Sequence, residues 1–326
     1  WLTPHPWQRT GPGNANDGKP KFDLTLFKQT YFDRMRQRIV KAWQRRIYVS
    51  IMLFNGWSVL YPHGFYNSAN PWTHHPMHPS NNINSVDGDS NNDESGDVHE
   101  GTISAVNTVQ LAYIDKVIDT VNDLDNVLYE ISNESGGTAN NTTWQHDLID
   151  HIHTYEASKL KQHPVGMTVQ WPDGDNAVLN SSNAEWVSYR GDSGEMTNPP
   201  TMDGTSGKVH IWDVDHVVGV GYEVTWAWRS FCRGNNPILM DEYDGIHDAE
   251  GGDDMRADAT AESVRYQMGQ TLAYAKRMNL LAMTPNNSLA STGYCLANQT
   301  DLNEYICYQP GTGNFTLNLS AASGTF

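Results

Sequence analysis

Cysteine is scarce in this sequence: Cys232, Cys295 and Cys307 are the only three in 326 residues. Three thiols are too few for a disulfide-held scaffold, so the fold must rest on a packed core. Positive charge is also short, with 21 Lys and Arg against 38 Asp and Glu and a formal net charge of -17. A surface of that sign repels phosphate backbones and anionic lipid, so neither nucleic acid nor a membrane is expected as a partner. Long apolar runs are missing as well. The longest, such as Ile47 to Phe54, are strand-sized and fall well short of the ~18 residues of a membrane helix. The chain opens at Trp1 with no charged segment leading into an apolar one, and the mature form or a fragment of a secreted or periplasmic protein is expected.

What is present is an alternation of helical and strand patterns. From Asp23 to Arg46, Leu24, Phe27, Tyr31, Met35, Ile39 and Trp43 recur at three-to-four-residue spacing, which predicts a helix capped by Asp23. Ile47 to Phe54 follows, apolar on both faces like a buried parallel strand. Helices are predicted over 102–124, 144–162, 224–233 and 257–278, and strands over 126–133, 164–170, 184–189, 208–213 and 237–241. Strands alternating with helices imply a parallel sheet with helices outside it. Six strands are counted, where eight close a barrel. The opening segment, Trp1 to Lys21, reads as a loop that ought to follow a strand. The expected fold is therefore an α/β (β/α)8 TIM-type barrel lacking its first one or two βα units. Domain boundaries are drawn at 1–283 for the barrel and 284–326 for the start of a small all-β, sandwich-type module. In that tail Cys295 and Cys307 lie in two short β-like runs, so they either face each other across a hairpin or are two separate buried thiols.

The strand ends carry the candidate chemistry, because parallel barrels gather reactive groups at the C-terminal ends of their strands. In Tyr129-Glu-Ile-Ser-Asn-Glu134 the period of two predicts Glu130, Ser132 and Glu134 on one strand face. This string is very similar to the fourth-strand motif of the clan A glycoside hydrolases, including the cellulase-like family 5 enzymes. More distantly, most of the chain resembles a bacterial cellulase-like group whose barrel is followed by a β domain labelled collagen-binding. The resemblance implies a glycoside hydrolase of a polysaccharide or oligosaccharide, acting through two carboxylates, an acid/base and a nucleophile, with no cofactor. It gives Glu134 the role of general acid/base and Asn133 that of holding a sugar hydroxyl. The clan's nucleophile falls at Asp213, with Asp215 as its competitor on the same face and Glu242 behind both; Asp where the clan has Glu departs from the pattern. Carboxyl groups about 5 to 5.5 Å apart give retention, the expected outcome, and about 6.5 to 9.5 Å gives inversion. Candidate substrate contacts are Asn133, His216, Trp57, Trp226, Asp241 and Glu242. Trp72, Trp171 and Trp186 are further aromatic candidates, each weighed against simple packing.

Other readings stay open. The Asp substitution and the missing strands favour a non-catalytic carbohydrate-binding barrel. Clustered His74, His75 and His78, with His146, His151 and His153, raise a metal-dependent hydrolase, but their spacing matches no zinc signature and no metal is assigned. The run Asp87, Asp89, Asn91, Asp93 alternates as a Ca²⁺ loop does. It has Asn92 where Gly is needed and Val98 where Glu is needed, so a solvated acidic loop is preferred.

Overall fold

The structure, a computed structural model, describes residues 4–56, 59, 70–192, 207–213, 217–218, 223–239, 255–298 and 303–322. The chain divides into two compact units, Trp1–Trp186 and Val187–Phe326.

The first unit begins with an antiparallel pair, β1 (Trp7–Asn14) and β2 (Pro20–Phe27). Phe22 and Leu24 are buried while Asp23 and Thr25 point outward, the period of two that defines a half-buried strand. Helix α1 (Gln29–Trp43), whose N-cap is Lys28, therefore starts five residues later than a helix capped by Asp23 would. Asp23 caps no helix; its carboxylate accepts from the N–H and hydroxyl of Thr25 and from Asn84. Leu24 and Phe27 fit both periods in the sequence, and pairing with β1 decides in favour of the strand. The opening segment, expected as a loop, thus supplies the first strand of a hairpin.

After α1 come β3 (Val49–Asn55), α2 (Ser104–Val121), β4 (Val127–Asn133), α3 (Ala139–Glu156), β5 (Val165–Thr168), α4 (Asn176–Ser181) and β6 (Trp186–Ser188). Strand β4 is central: it pairs in parallel with β3, Ile51 opposite Tyr129 and Asn55 opposite Asn133, and with β5, Glu130 opposite Gly166. Val127, Tyr129 and Ile131 on one face and Glu130 and Ser132 on the other are buried, as a strand covered on both faces requires. Helix α2 buries Val106, Val109, Tyr113, Ile114, Val117, Ile118 and Val121, a stripe of three-and-four spacing. Helix α3 buries Trp144, Leu148, Ile149 and Ile152, and Thr138 caps it by accepting from the Asn141 N–H at 3.0 Å.

The second unit contains a two-residue parallel pair, β7 (Gly191–Asp192) with β9 (Val217–Val218), and a longer one, β8 (Val209–Asp213) with β10 (Asn236–Ile238). Between them lies α5 (Trp226–Cys232), which precedes β10, and α6 (Ala259–Ala275) follows. Trp212, Trp226 and Ala227 form one core with Leu239 and Met268. A second core, Phe231, Met283 and Leu296 with Trp228, Met278 and Ile306, lies under an antiparallel sheet of β11 (Met283–Pro285), β12 (Cys295–Asn298) and β13 (Tyr305–Cys307).

The expected (β/α)8 barrel is not formed. Among the described residues the main parallel strands number six, β3, β4, β5, β6, β8 and β10, and both β3 and β10 have a strand on one side only. The physical reason lies in how the flanking chain is used. Before β3 it makes an antiparallel hairpin and α1; after β10 and α6 it makes the antiparallel β11–β13 sheet. Among the described residues neither flank supplies the parallel partners that closure demands.

Candidate active site

At the C-terminal edge of β4 the strand stops at Asn133, and Glu134 turns away with φ of 45°. That left-handed backbone is uncommon for a residue with a Cβ and costs free energy unless its surroundings enforce it. The turn also corrects the strand-face pattern, because Glu134 lies beyond the last paired residue and does not continue the line through Glu130 and Ser132. Glu130 is buried inside the sheet, where its carboxylate accepts from the Ser50 hydroxyl at 3.4 Å.

Several groups enforce the turn. Gly56, just past the end of β3, passes so close that a Cβ there would sit 2.0 Å from the Glu134 carbonyl oxygen. The Ser135 carbonyl accepts from the Trp171 N–H at 3.0 Å, tying the turn to the exit of β5. The Ser135 hydroxyl contacts the Ser132 hydroxyl and lies 3.3 Å from His99 Nδ1. His99 stacks on Trp144, centroids 4.6 Å apart, and meets the edge of Phe54. Burial pushes its pKa down to about 3, so the ring is neutral at ordinary pH. Its carbonyl accepts from Asn141 Nδ2 at 2.8 Å, and Asn141 Oδ1 in turn accepts from Gln145 and Gln170. Side chains from the ends of β4 and β5, from the start of α3 and from the segment before α2 therefore converge beneath one carboxylate-bearing turn.

Asn133 is half-buried and stands opposite Asn55 in register. Trp171, 36% exposed, is the one tryptophan of the candidate set with substantial ring surface among the described residues. Trp72 is packed against His75 and beneath Gly96, and Trp186 lies over Gly166. Trp226 is completely buried in the second unit's core, where its ring packs against protein and not solvent. Asp213 is the last residue of β8 and is opposite Ile238 of β10. Asp215, His216, Asp241, Glu242 and Trp57 lie outside the described residues.

Four of the histidines raised for a metal, His75, His146, His151 and His153, have protein partners. His75 stacks on Trp72, His146 meets the Val178 carbonyl, and His151 and His153 pair with Asp115 and Glu185. In the acidic loop, Asp89 accepts from the N–H groups of Asp93 and Glu94, while Asp97 accepts from Ser90. Those carboxylates hold their own loop's backbone. Among the described residues no group of three or more His, Cys, Asp or Glu side chains is placed to hold a metal ion.

Sequence reasoning missed His99, Ser135, Asn141 and Gln170. Ser132 and Ser135 flanking Glu134 were a local signal; His99, 36 residues from Ser135, and Gln170, 29 residues from Asn141, gave none.

Taken together, the first unit is a parallel α/β layer with a polar, strained turn at the C-terminal edge of its central strand, the edge where open α/β sheets bind ligands. The chain belongs to the family described as a domain of unknown function, DUF6298, whose model matches residues 2–188. The match spans the elements that build this turn, from β1 through β6. No curated protein matches the chain.

Proposed function

We propose that the protein is a glycoside hydrolase in which Glu134 is the general acid/base. The observation that carries this reading is the placement of Glu134: a carboxylate at the C-terminal edge of a central parallel strand, in a left-handed turn pressed against Gly56 and backed by Ser135 and His99. Strain of this kind collects at functional sites. The Tyr-Glu-Ile-Ser-Asn-Glu string supports the same role, and the half-exposed Trp171, bonded to the next residue, offers a ring face to a sugar.

A glycosidic oxygen is a poor leaving group, so the protonated Glu134 carboxyl donates its proton as the bond breaks. Asn133 holds a hydroxyl of the sugar. A second carboxylate must act on the anomeric carbon, and Asp213 is assigned to it ahead of Asp215. In the retaining course a glycosyl-enzyme forms there, and the Glu134 carboxylate then takes a proton from the water that hydrolyses it.

The test is reducing-sugar release over a panel of polysaccharides by the wild type, Glu134→Gln and Asp213→Asn. Loss of general acid catalysis lowers turnover by roughly 10²- to 10⁴-fold, with folding retained. Unchanged hydrolysis by Glu134→Gln overturns the assignment. The open edges at β3 and β10 favour a second reading, a non-catalytic carbohydrate-binding protein. Saturable oligosaccharide binding with no turnover in the wild type would select it.

A further inference from the structure

The antiparallel sheet of the second unit brings together two of the chain's three cysteines. Its register sets Cys295 of β12 directly opposite Cys307 of β13. On either side, the Tyr308 N–H donates to the Tyr294 carbonyl at 3.0 Å and the Asn298 N–H to the Glu304 carbonyl at 2.9 Å. Hydrogen-bonded pairs alternate with non-hydrogen-bonded ones along an antiparallel ladder. Pairs 294/308 and 298/304 are bonded, so 295/307 occupies a non-hydrogen-bonded position, where Cα atoms approach to about 4.5 Å and side chains lie closest. That spacing falls within the window of about 4.4–6.8 Å that a disulfide spans. The two Sγ atoms are 2.9 Å apart.

We propose that Cys295 and Cys307 are a disulfide-forming pair that, on exchange with a disulfide oxidant, covalently staples β12 to β13. The two thiols differ in a way that orders the exchange: Cys295 is completely buried and Cys307 is half-buried. Cys307 is the attacking group. The hydrogen bond from Cys295 favours the Cys307 thiolate and holds its pKa below the ordinary thiol range, while the same contact and burial push Cys295 up. The Cys307 thiolate attacks one sulfur of the oxidant, whose S–S bond breaks and releases one thiolate. Cys295 then gives up its proton and attacks Cys307 Sγ, expelling the second thiolate. Two cysteine thiols are oxidised by two electrons, the oxidant disulfide is reduced to two thiols, and the two cysteine protons end on those thiols. Cys232, at the end of α5, is completely buried, and burial raises its pKa to about 12, so it stays a thiol.

The experiment incubates the whole protein with oxidised glutathione, unfolds it in an alkylating reagent, and counts alkylated thiols by intact mass before peptide mapping. The expected result is a fall from three alkylated cysteines to one, on Cys232, with the peptides of Cys295 and Cys307 joined. In Cys295→Ser the expected product is a stable glutathione adduct on Cys307, because the second step has lost its nucleophile. Three alkylated cysteines after exposure, or a bridge that includes Cys232, overturns the proposal.

Discussion

Strand β4 has a buried histidine near each end, and the two are held in opposite states. At the N-terminal end, Glu156, 1% exposed, accepts from Asn122, from the Tyr129 hydroxyl, and from both the ring and the N–H of His163. The other ring nitrogen of His163 meets the Leu124 carbonyl at 2.8 Å. Both ring partners can only accept, so both nitrogens must donate and the ring is an imidazolium. Burial opposes charge in this pair. The hydrogen bonds and mutual attraction outweigh it, holding Glu156 below and His163 above their ordinary values. At the C-terminal end, His99 faces a hydroxyl and a stacked indole instead of an anion, and burial alone leaves it neutral. Charge chemistry is used to lock one end of the layer, while the other end is kept free of fixed charge beneath a strained carboxylate. The partner set, not the residue type, decides which.

The largest expected effects would break this contrast outright. Glu156→Gln removes the anion beneath a buried imidazolium and should destabilise the first unit by about 3–5 kcal/mol, read as a drop in the denaturant midpoint. Glu134→Gln should leave that midpoint within ~0.5 kcal/mol of wild type while turnover collapses. If the two variants lose stability equally, the division of labour between the ends is wrong.

Gly56→Ala is next in size. Its Cβ would collide with the Glu134 carbonyl, and relieving that overlap costs roughly 1–3 kcal/mol, with activity lost alongside stability because the turn must shift. Glu134→Gly sharpens the same point from the other side. A left-handed backbone suits glycine, so stability should hold or rise by up to about 1 kcal/mol as activity disappears.

The smallest effect is in the pH profile of unfolding. His163, raised from 6.5, contributes stability that is complete below pH 6.5 and is lost as pH rises through its folded pKa. Glu156, lowered from 4.5, contributes above pH 4.5 and loses that contribution as pH falls. His99, lowered from 6.5 to about 3, costs stability progressively as pH drops between those values. The profile of His163→Gln should therefore flatten on its alkaline side, and that of His99→Gln on its acid side. Coincident profiles would show that the two rings are not held differently.

The parallel strands were readable as short runs rich in apolar residues, β3 along its length and β4 through Val127, Tyr129 and Ile131, although Ser50 and Met52 of β3 prove exposed and Glu130 and Ser132 fill the other face of β4. Glu134 was readable as the polar residue ending such a run. Closure was not, since it depends on what lies beyond the edges of β3 and β10, and six apolar runs fit an open layer as well as an incomplete ring. The β1–β2 hairpin was missed because Leu24, Phe27 and Tyr31 satisfy a helical period by coincidence. Only the cross-strand pairing of Arg9 with Phe22 and Trp7 with Phe27 distinguishes the two. The support beneath Glu134 was invisible for a different reason: hydrogen bonds between groups dozens of residues apart leave no local period.

The close approach of residue 56 to the carbonyl of residue 134 leaves no room for a side chain between these two stretches of main chain. A replacement for the long connection that leaves β3 can be grafted only downstream of position 56, because any bulk introduced at that seam would be transmitted directly to the neighbouring acid. In this chain a methyl at position 56 fits only if the turn at residue 134 gives way.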